Sequence, residues 1–459
     1  MPPLPKSYDV LESTRSLCPE CMSTVPAKII EQGGRVFLRK LCSKHGPQEE
    51  LLEDNAAYFK NRNTFSRPGT GCKIQTEIKN GCPFDCGLCP DHEQHTCIGL
   101  IEVNSGCDMT CPTCYASSGQ SGNLALSSIR TMIDFYIDTE HGQAEILQVS
   151  GGEPTLHPEI LEILRYARST RLAYVMLNTN GLRIASDEQF VRELSLFVGG
   201  FEVYLQFDGL DAASYRSLRG RDYVAQKLQA IAVLEKYKIP TTLVMTVQAG
   251  VNDDKIGEVI AFAMRHKNIR GVSLQPVAFF GRRPDTTPTA NRTTLTGIIT
   301  RIEQQTAGLI RFADFVPLPC HVDRVAVNFL YLVKGNYEPI MRGVDVRKHL
   351  PHIRNTFNFR VEEFLQETGS AVACCGLADL LKFIPPQFLL KPKTERVDYI
   401  NENLFRLNVV SFIDAYNFDL KSMQKECVHI ITPDLHKVPF SAYNMIHRDK
   451  YAHHYAKAR

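Results

Sequence analysis

Asn104-Ser105-Gly106-Cys107-Asp108-Met109-Thr110-Cys111-Pro112-Thr113-Cys114-Tyr115 carries three cysteines in a C-x3-C-x2-C spacing. Three thiolates on one short loop can hold three irons of a [4Fe–4S] cluster and leave the fourth iron open to a small molecule. A four-thiolate electron-transfer cluster has no such open position. The spacing alone is only moderately specific. Here, however, an apolar, strand-like run at 98–103 leads into it, and Gly151-Gly152-Glu153-Pro154 follows the next apolar run.

Outward from that loop, strand-like and helix-like patterns alternate. The runs at 98–103, 145–149, 172–178, 201–206, 241–247 and 271–276 read as short apolar strands. Amphipathic segments at 126–140, 158–169, 187–197, 223–238 and 253–266 fall between them. This alternation predicts parallel strands joined by right-handed crossovers. Six such units fit an incomplete α/β barrel or an open doubly wound sheet. Either arrangement places a site at the carboxyl ends of the strands, where both the cysteine loop and the Gly-Gly-Glu-Pro turn fall.

At 459 residues the chain exceeds a typical single domain, so one large domain with appendages is expected. A hydrophobic share of 44% with 22% charged residues is ordinary for a soluble globular protein. The net charge of +2 gives no electrostatic signature of nucleic-acid binding. No apolar run approaches the roughly 18 residues of a membrane span, and residues 1–10 lack the apolar stretch of a secretory signal. Fifteen cysteines in that context argue for metal ligation in a reducing compartment, with the cytoplasm as the expected location.

Three further cysteine sets stand out. Cys82, Cys86, Cys89 and Cys97 fall within sixteen residues broken by Pro83, Gly87 and Pro90. They repeat C-x3-C-x2-C, but no strand-like run precedes Cys82, and Cys97 offers a ligand that would close the last iron. An auxiliary [4Fe–4S] cluster is expected there, with zinc as the alternative and His92 or His95 as substitute ligands. Near the N-terminus, Cys18-x2-Cys21 and Cys42-x2-His45 flank a Gly33-Gly34 turn, the pattern of a ribbon that grips one tetrahedral metal. The fourth ligand is His45 or Cys72. Cys320, Cys374, Cys375 and Cys427 are dispersed along the C-terminal part and form a candidate further cluster. Free cysteine is also a common buried apolar residue, so this last set is the weaker one.

Taken together these motifs resemble the radical S-adenosylmethionine (SAM) enzymes. The stretches Gly81-Cys82-Pro83-Phe84-Asp85-Cys86-Gly87-Leu88-Cys89-Pro90, Cys18-Pro19-Glu20-Cys21 and Asp414-Ala415-Tyr416-Asn417-Phe418-Asp419 narrow the resemblance. They resemble the archaeal tetraether lipid synthases, a subgroup whose members were also described as pterin methyltransferases. The resemblance spans nearly the whole sequence and implies an α/β fold, a partial (β/α)6 radical SAM barrel at 98–285. Residues 1–71 would form a zinc-ribbon- or rubredoxin-like metal region, 72–97 an auxiliary iron–sulfur loop, and 286–459 a mixed α+β C-terminal extension. A rubredoxin-like iron requires four thiolates, whereas a Cys3His set favours zinc. The family segment matching Val438-Pro439-Phe440-Ser441-Ala442-Tyr443-Asn444 often has cysteine where this protein has Ser441.

By the same resemblance, a [4Fe–4S] cluster sits on Cys107, Cys111 and Cys114 and chelates the methionine end of SAM. Gly151 and Gly152 let the backbone approach that moiety. Glu153 accepts a hydrogen bond from its amino group, and Pro154 fixes the turn. Tyr115 and Gln275 are expected at the adenine. Asn178, Asn180, Gln206 and Asp208 are expected at the ribose, the carboxylate or the substrate. No single catalytic residue is assigned. A reducing donor such as ferredoxin or flavodoxin is the implied partner.

The function expected first is hydrogen abstraction from unactivated carbon, in carbon–carbon coupling of tetraether-like lipids. Phe279-Phe280 and the stretches 329–333 and 377–390 would line an apolar channel, and peripheral contact with a membrane is compatible with such a substrate. The alternative is C-methylation of a pterin or related small molecule. No recognisable cobalamin-binding domain precedes the barrel, so another methyl carrier would be needed. A second alternative is a non-catalytic iron–sulfur electron-transfer protein.

Overall fold

The computed structural model describes residues 7–69, 73–119, 122–142, 144–283, 292–343, 347, 355 and 402–455. Cys72, Cys374, Cys375 and the stretch 377–390 lie outside these residues. No helix among the described residues is long and apolar enough to cross a membrane.

The N-terminal region is an antiparallel meander of β1 (Asp9–Leu17), β2 (Thr24–Gln32), β3 (Arg35–Cys42) and β4 (Gly46–Glu53). Alternating burial along β2 and β3 places Ile29, Val36 and Leu38 in a small core with Leu52 and Phe59. In a meander the first and third turns lie at one end. Those turns carry Cys18 and Cys21, and Cys42 and His45, which is why sequence-distant ligand pairs meet.

The second sheet has its parallel strands in sequence order: β5 (Ile98–Glu102), β6 (Ile146–Ser150), β7 (Tyr174–Thr179), β8 (Phe201–Gln206), β9 (Thr241–Val247) and β10 (Ile269–Pro276). Later segments extend both edges. β11 (Val316–Pro317), β12 (Val325–Val333), β13 (Asn336–Pro339) and β14 (Leu404–Val410) add to the β10 side, β14 in parallel. β15 (Val428–Ile431) pairs in parallel with β5, and β16 (Lys437–Pro439) closes that side.

Side chains alternate across each strand. Outward positions such as Leu147, Val149, Val175, Leu177, Val203 and Leu205 are buried in the main core with the crossover helices. Inward positions are largely polar: Gln148, Ser150, Asn178, Tyr204, Gln206 and Ser273. At the amino ends of the strands, fully buried Glu202 accepts from Tyr174, Arg406 and Thr242, closing the floor of the bowl.

The ribbon is tied to the rest of the protein by buried polar contacts beside a small apolar cluster, in which Leu17 packs with Ile413, Phe418 and Met423. Arg292 donates to Glu50 of β4 at 2.7 Å and to both carboxylate oxygens of Asp414 at 2.9 and 3.0 Å. Its side chain is 5% exposed, and those of its two partners 7% and 0%. Lys40 donates to the carbonyls of Leu17, Ala415 and Tyr416, each at 2.8 Å. Thr296 donates from backbone and side chain to Glu53. Removing one partner of such a pair strands the others without a counter-ion. Arg292→Met should therefore cost about 3–5 kcal/mol, read as a lower denaturation midpoint with the ribbon metal still bound. An unchanged midpoint would show that the docking does not depend on this arginine.

Candidate active site and metal centres

The loop after β5 is held on three sides. Against the end of β6, Gly152 N donates to Asn104 O at 2.9 Å and Glu153 N to Gly106 O at 2.8 Å. A Cβ on Gly151 would overlap the Asn104 side-chain oxygen, and one on Gly152 would overlap the Gly106 carbonyl. The two glycines thus serve the packing of one backbone on the other, a closer constraint than the approach to a ligand expected from sequence. On the second side, Cys114 and Arg282 exchange backbone hydrogen bonds at 2.9 and 2.8 Å, and Arg282 Nε donates to Cys111 O at 2.7 Å. On the third, Thr113 N reaches Leu218 O at 3.4 Å, at the end of the helix Ala212–Arg219.

All three thiols are half-buried. Met109 N donates to Cys107 Sγ at 3.4 Å, and Ser118 Oγ lies 3.5 Å from Cys114 Sγ. Burial pushes the Cys107 thiol up to about 12 and raises Cys111 as well, while the Arg219 cation pulls Cys111 back down. Without a metal, Cys107 and Cys111 favour the protonated form, and a bound cation is what would replace those protons. Three half-buried cysteines on one short loop, with N–H and O–H groups beside the Cys107 and Cys114 sulfurs, fit an iron–sulfur cluster with an open position.

The residues expected around SAM divide into two groups. Asn178, Gln206 and Gln275 lie on inward positions of β7, β8 and β10. Asn178 Nδ2 donates to Ser150 Oγ at 3.2 Å, and Gln275 Nε2 to Tyr204 OH at 3.2 Å. Tyr115 OH lies 3.2 Å from Ser150 Oγ, with its ring 5.3 Å from that of Phe440. Glu153 and Asp208 are instead fully engaged by protein donors. Glu153 is 1% exposed and accepts from Thr155 N, Thr155 Oγ1, Thr179 Oγ1 and Asn180 N. Asp208 is 0% exposed and accepts from Arg219 at 2.6 and 2.9 Å and from Thr246 N at 3.1 Å. Both carboxylates hold strand ends together. Pro154 opens a short 3-10 turn, and Asn180 Nδ2 reaches Asp108 in the cysteine loop at 2.6 Å.

Two buried cations escaped the sequence reading. Arg219 ends the helix Ala212–Arg219, and its Nη1 also reaches Thr113 O at 3.4 Å. Lys227, 0% exposed, donates to Asn180 O, to Gln206 O at 2.9 Å and to Gln206 Oε1 at 2.7 Å. Desolvation pushes it down to about 8. A signal existed for the lysine: it falls in step with Val224, Ile231 and Leu234 on the apolar face of the helix Val224–Lys236. Nothing comparable marks the arginine.

The other cysteine sets are redistributed. Cys18, Cys21, Cys42 and His45 bring their ligand atoms within 4.8 Å of one another, so His45 fills the fourth place among the described residues. Cys82, Cys86 and Cys89 line one small cavity with Asp91, His92 and Met423. Cys86 and Tyr115 flank the same apolar cluster around Phe280 and Phe440, so this loop lies beside the first. Cys97 does not join it. Pairing of β5 with β15 draws Cys97 N onto Cys427 O at 2.9 Å, and its thiol groups instead with Cys320 and Cys427. Ser441, in place of the family's cysteine, donates to Glu426 at 2.6 Å and accepts from Ile413 N at 3.1 Å.

A cation against a thiolate raises the potential of the cluster it helps hold, because reduction adds negative charge. Arg219→Met should shift the cluster on Cys107, Cys111 and Cys114 to lower potential in an EPR-monitored redox titration. Arg219→Lys should fall between, since an ammonium cannot reproduce the two-pronged grip on Asp208. Equal potentials in all three proteins would show that Arg219 is only structural.

A radical SAM superfamily model matches residues 101–263, the segment containing the cysteine loop and the Gly-Gly-Glu-Pro turn. A second, the HMPTM N-terminal zinc ribbon domain, matches residues 10–54. The chain is 29% identical to a 7,8-dihydro-6-hydroxymethylpterin dimethyltransferase of Methanocaldococcus jannaschii, across 96% of this chain and 94% of that one. A probable GTP 3′,8-cyclase of Pyrococcus abyssi is 28% identical over 36% of this chain and 51% of its own length. Among solved structures, Streptococcus suis SuiB bound to S-adenosylmethionine aligns with a TM-score of 0.38 and 16% identity, over 47% of this chain and 48% of that one. With its thiol loop, polar bowl and preceding zinc ribbon, the chain carries a radical SAM domain at residues 101–263, and the protein is a radical SAM enzyme that uses a [4Fe–4S] cluster and SAM.

Proposed function

We propose that the protein is a radical SAM C-methyltransferase acting on a pterin or a related small heterocycle. The observation that carries this reading is the extent of its likeness to the M. jannaschii pterin dimethyltransferase, which runs through ribbon, barrel and C-terminal region alike. The character of the bowl agrees with it. Its inward face presents amides and hydroxyls (Asn178, Tyr204, Ser273, Gln275), which suit the hydrogen-bonding edges of a flat heterocycle.

The lipid-coupling reading expected first has less support. Phe280 packs on Phe412 and Phe440, and Phe279 on Tyr416, so these rings belong to core contacts. Phe329 packs against the buried group around Cys97 and Cys320. The 377–390 stretch lies outside the described residues.

Held by Cys107, Cys111 and Cys114, a cluster with SAM would supply one-electron C–S cleavage and hydrogen abstraction. The protein's own residues do the positioning. Asn178, Ser150 and Tyr115 form one hydrogen-bonded row beside the loop, and Tyr204 and Gln275 a second row across the bowl. Asp208, Arg219 and Lys227 fix the strand ends between them. A low-potential donor of the ferredoxin or flavodoxin class would supply the electron.

Anaerobically reconstituted, reduced protein should form 5′-deoxyadenosine faster with 7,8-dihydro-6-hydroxymethylpterin than without it, and the pterin should gain methyl groups by mass spectrometry. SAM carrying a deuterated methyl group would identify the methyl source. Stimulation by a glycerophospholipid extract and none by the pterin would overturn the reading in favour of lipid chemistry. Cys111→Ala should abolish 5′-deoxyadenosine formation yet leave the ribbon metal bound. Cleavage that survives this change would remove the cluster from the 107–114 loop.

A further inference from the structure

Cys97, Cys320 and Cys427 come from three remote parts of the sequence and are 2%, 0% and 1% exposed. Their sulfurs lie within 4.8 Å of one another, in a shell of Leu318, Val325 and Val327. The Nε2 of His95 lies 3.6 Å from the Cys97 sulfur. We propose that these three thiolates hold one mononuclear zinc-type divalent cation that fastens the two sides of the curled sheet together, with the His95 imidazole, which lies outside the 4.8 Å set of the three sulfurs, turning in as fourth ligand.

Spacing distinguishes a single ion from a cluster. Tetrahedral zinc with Zn–S bonds of about 2.3 Å sets its ligand atoms roughly 3.8 Å apart. Thiolates bound to separate irons of a cluster stand farther from one another. The ribbon provides an internal standard, with Cys18 and Cys42 at 3.4 and 3.6 Å from His45 Nδ1 and Cys21 at 3.8 Å from Cys42. Among the described residues, these two sets are the ones that bring three or more ligand atoms within 4.8 Å of one another. Thiolates with one imidazole are a donor set that suits zinc.

Topology supplies the purpose. In the sheet, β12 and β5 are separated by β14, β10, β9, β8, β7 and β6. Cys97 nevertheless immediately precedes β5, Cys427 immediately precedes β15, and Cys320 lies in the turn Pro319–His321 that leads to β12. The sheet curls until these points meet, and no backbone ladder joins β12 to β5 or β15 among the described residues. A metal here closes what hydrogen bonding leaves open. It also lies at the opposite end of β5 from the 107–114 loop, about 17 Å away along five strand residues. That distance suits a structural ion and not a reacting one.

The test uses the full-length protein, grown with zinc and analysed for zinc, iron and acid-labile sulfide. Cys320→Ser and Cys427→Ser should each lose about one zinc relative to the parent, with iron and sulfide unchanged. Cys42→Ser should lose the ribbon zinc additively. Full zinc content in both variants would overturn the proposal, as would loss of iron and sulfide in place of zinc, which would mark a cluster.

Should the serine variants fail to fold, Cys42→Ser protein from cobalt-supplied cells reports on this site alone. It should retain a thiolate-to-cobalt charge-transfer band, and the absence of that band rejects the site. Adding His95→Ala to that background should alter the visible cobalt bands. Identical spectra would exclude the histidine as fourth ligand.

Discussion

The backbone at Asn104 and Gly106 lies so close to Gly151 and Gly152 that no side chain fits between them, and the placement of the three-thiol loop follows from this contact. Overpacking a close-packed contact typically costs about 1–3 kcal/mol when the neighbours can move. Here, besides the Asn104 side-chain oxygen, the neighbours are backbone atoms of segments joined by hydrogen bonds of 2.8 and 2.9 Å, so little movement is available. The position of the thiols is thereby set by β5 and β6 instead of by the loop's own flexibility. Glu153 extends the constraint to β7, because its carboxylate accepts from Thr179 and Asn180 there. One buried acid thus links three consecutive strand ends.

Buried charge carries this arrangement farther around the bowl. Taking an ion out of water costs several kcal/mol, and the cost is offset only where its hydrogen bonds are complete. Lys227 meets that condition: the three donors of its ammonium face three acceptors on β8 and on the turn after β7. Arg219 meets it with two bonds to Asp208 and others to Thr113 and Thr246. Pairing wins over desolvation for the arginine, whose pKa rises, and loses in part for the lysine, whose pKa falls to about 8. Both remain cationic at neutral pH. They therefore place positive charge beneath a loop that becomes anionic once its thiols ionise.

The strands β5 to β10 and the longer helices between them were legible because each is a continuous periodic segment, whereas the short helices Leu182–Ser186 and Ala212–Arg219 were not read. The runs at 201–206 and 241–247 coincide with β8 and β9, and the others differ by no more than two residues at either end. The two further parallel strands were not legible. β14 follows β10 only after more than a hundred intervening residues, and β15 pairs with β5, more than three hundred residues earlier. Local pattern carries no information about such pairing. The same limit explains Cys97. Nearness in sequence grouped it with Cys89, whereas strand pairing carries it to Cys427. Glu153 and Asp208 show a different limit. Residue type announced an acceptor in each case, but the donors that meet them, amides and hydroxyls of Thr155, Thr179 and Asn180 for Glu153 and Arg219 with Thr246 N for Asp208, are placed by the fold.

Fifteen cysteines in one protein invite a uniform reading, and geometry argues against one. The 107–114 and 82–89 loops each present their thiols from one short segment, at the carboxyl ends of strands or beside them, and pack around one aromatic cluster that includes Phe280 and Phe440. A redox centre benefits from such neighbours, because an electron entering at one loop has a short path to the other. The ribbon set and the Cys97 set instead draw their ligands from separate turns, and within each set the ligand atoms lie within 4.8 Å of one another. A metal in either position constrains segments that otherwise meet through few contacts. Spacing and sequence origin together divide the cysteines into those suited to electron chemistry at the mouth of the bowl and those suited to holding its outer parts in register.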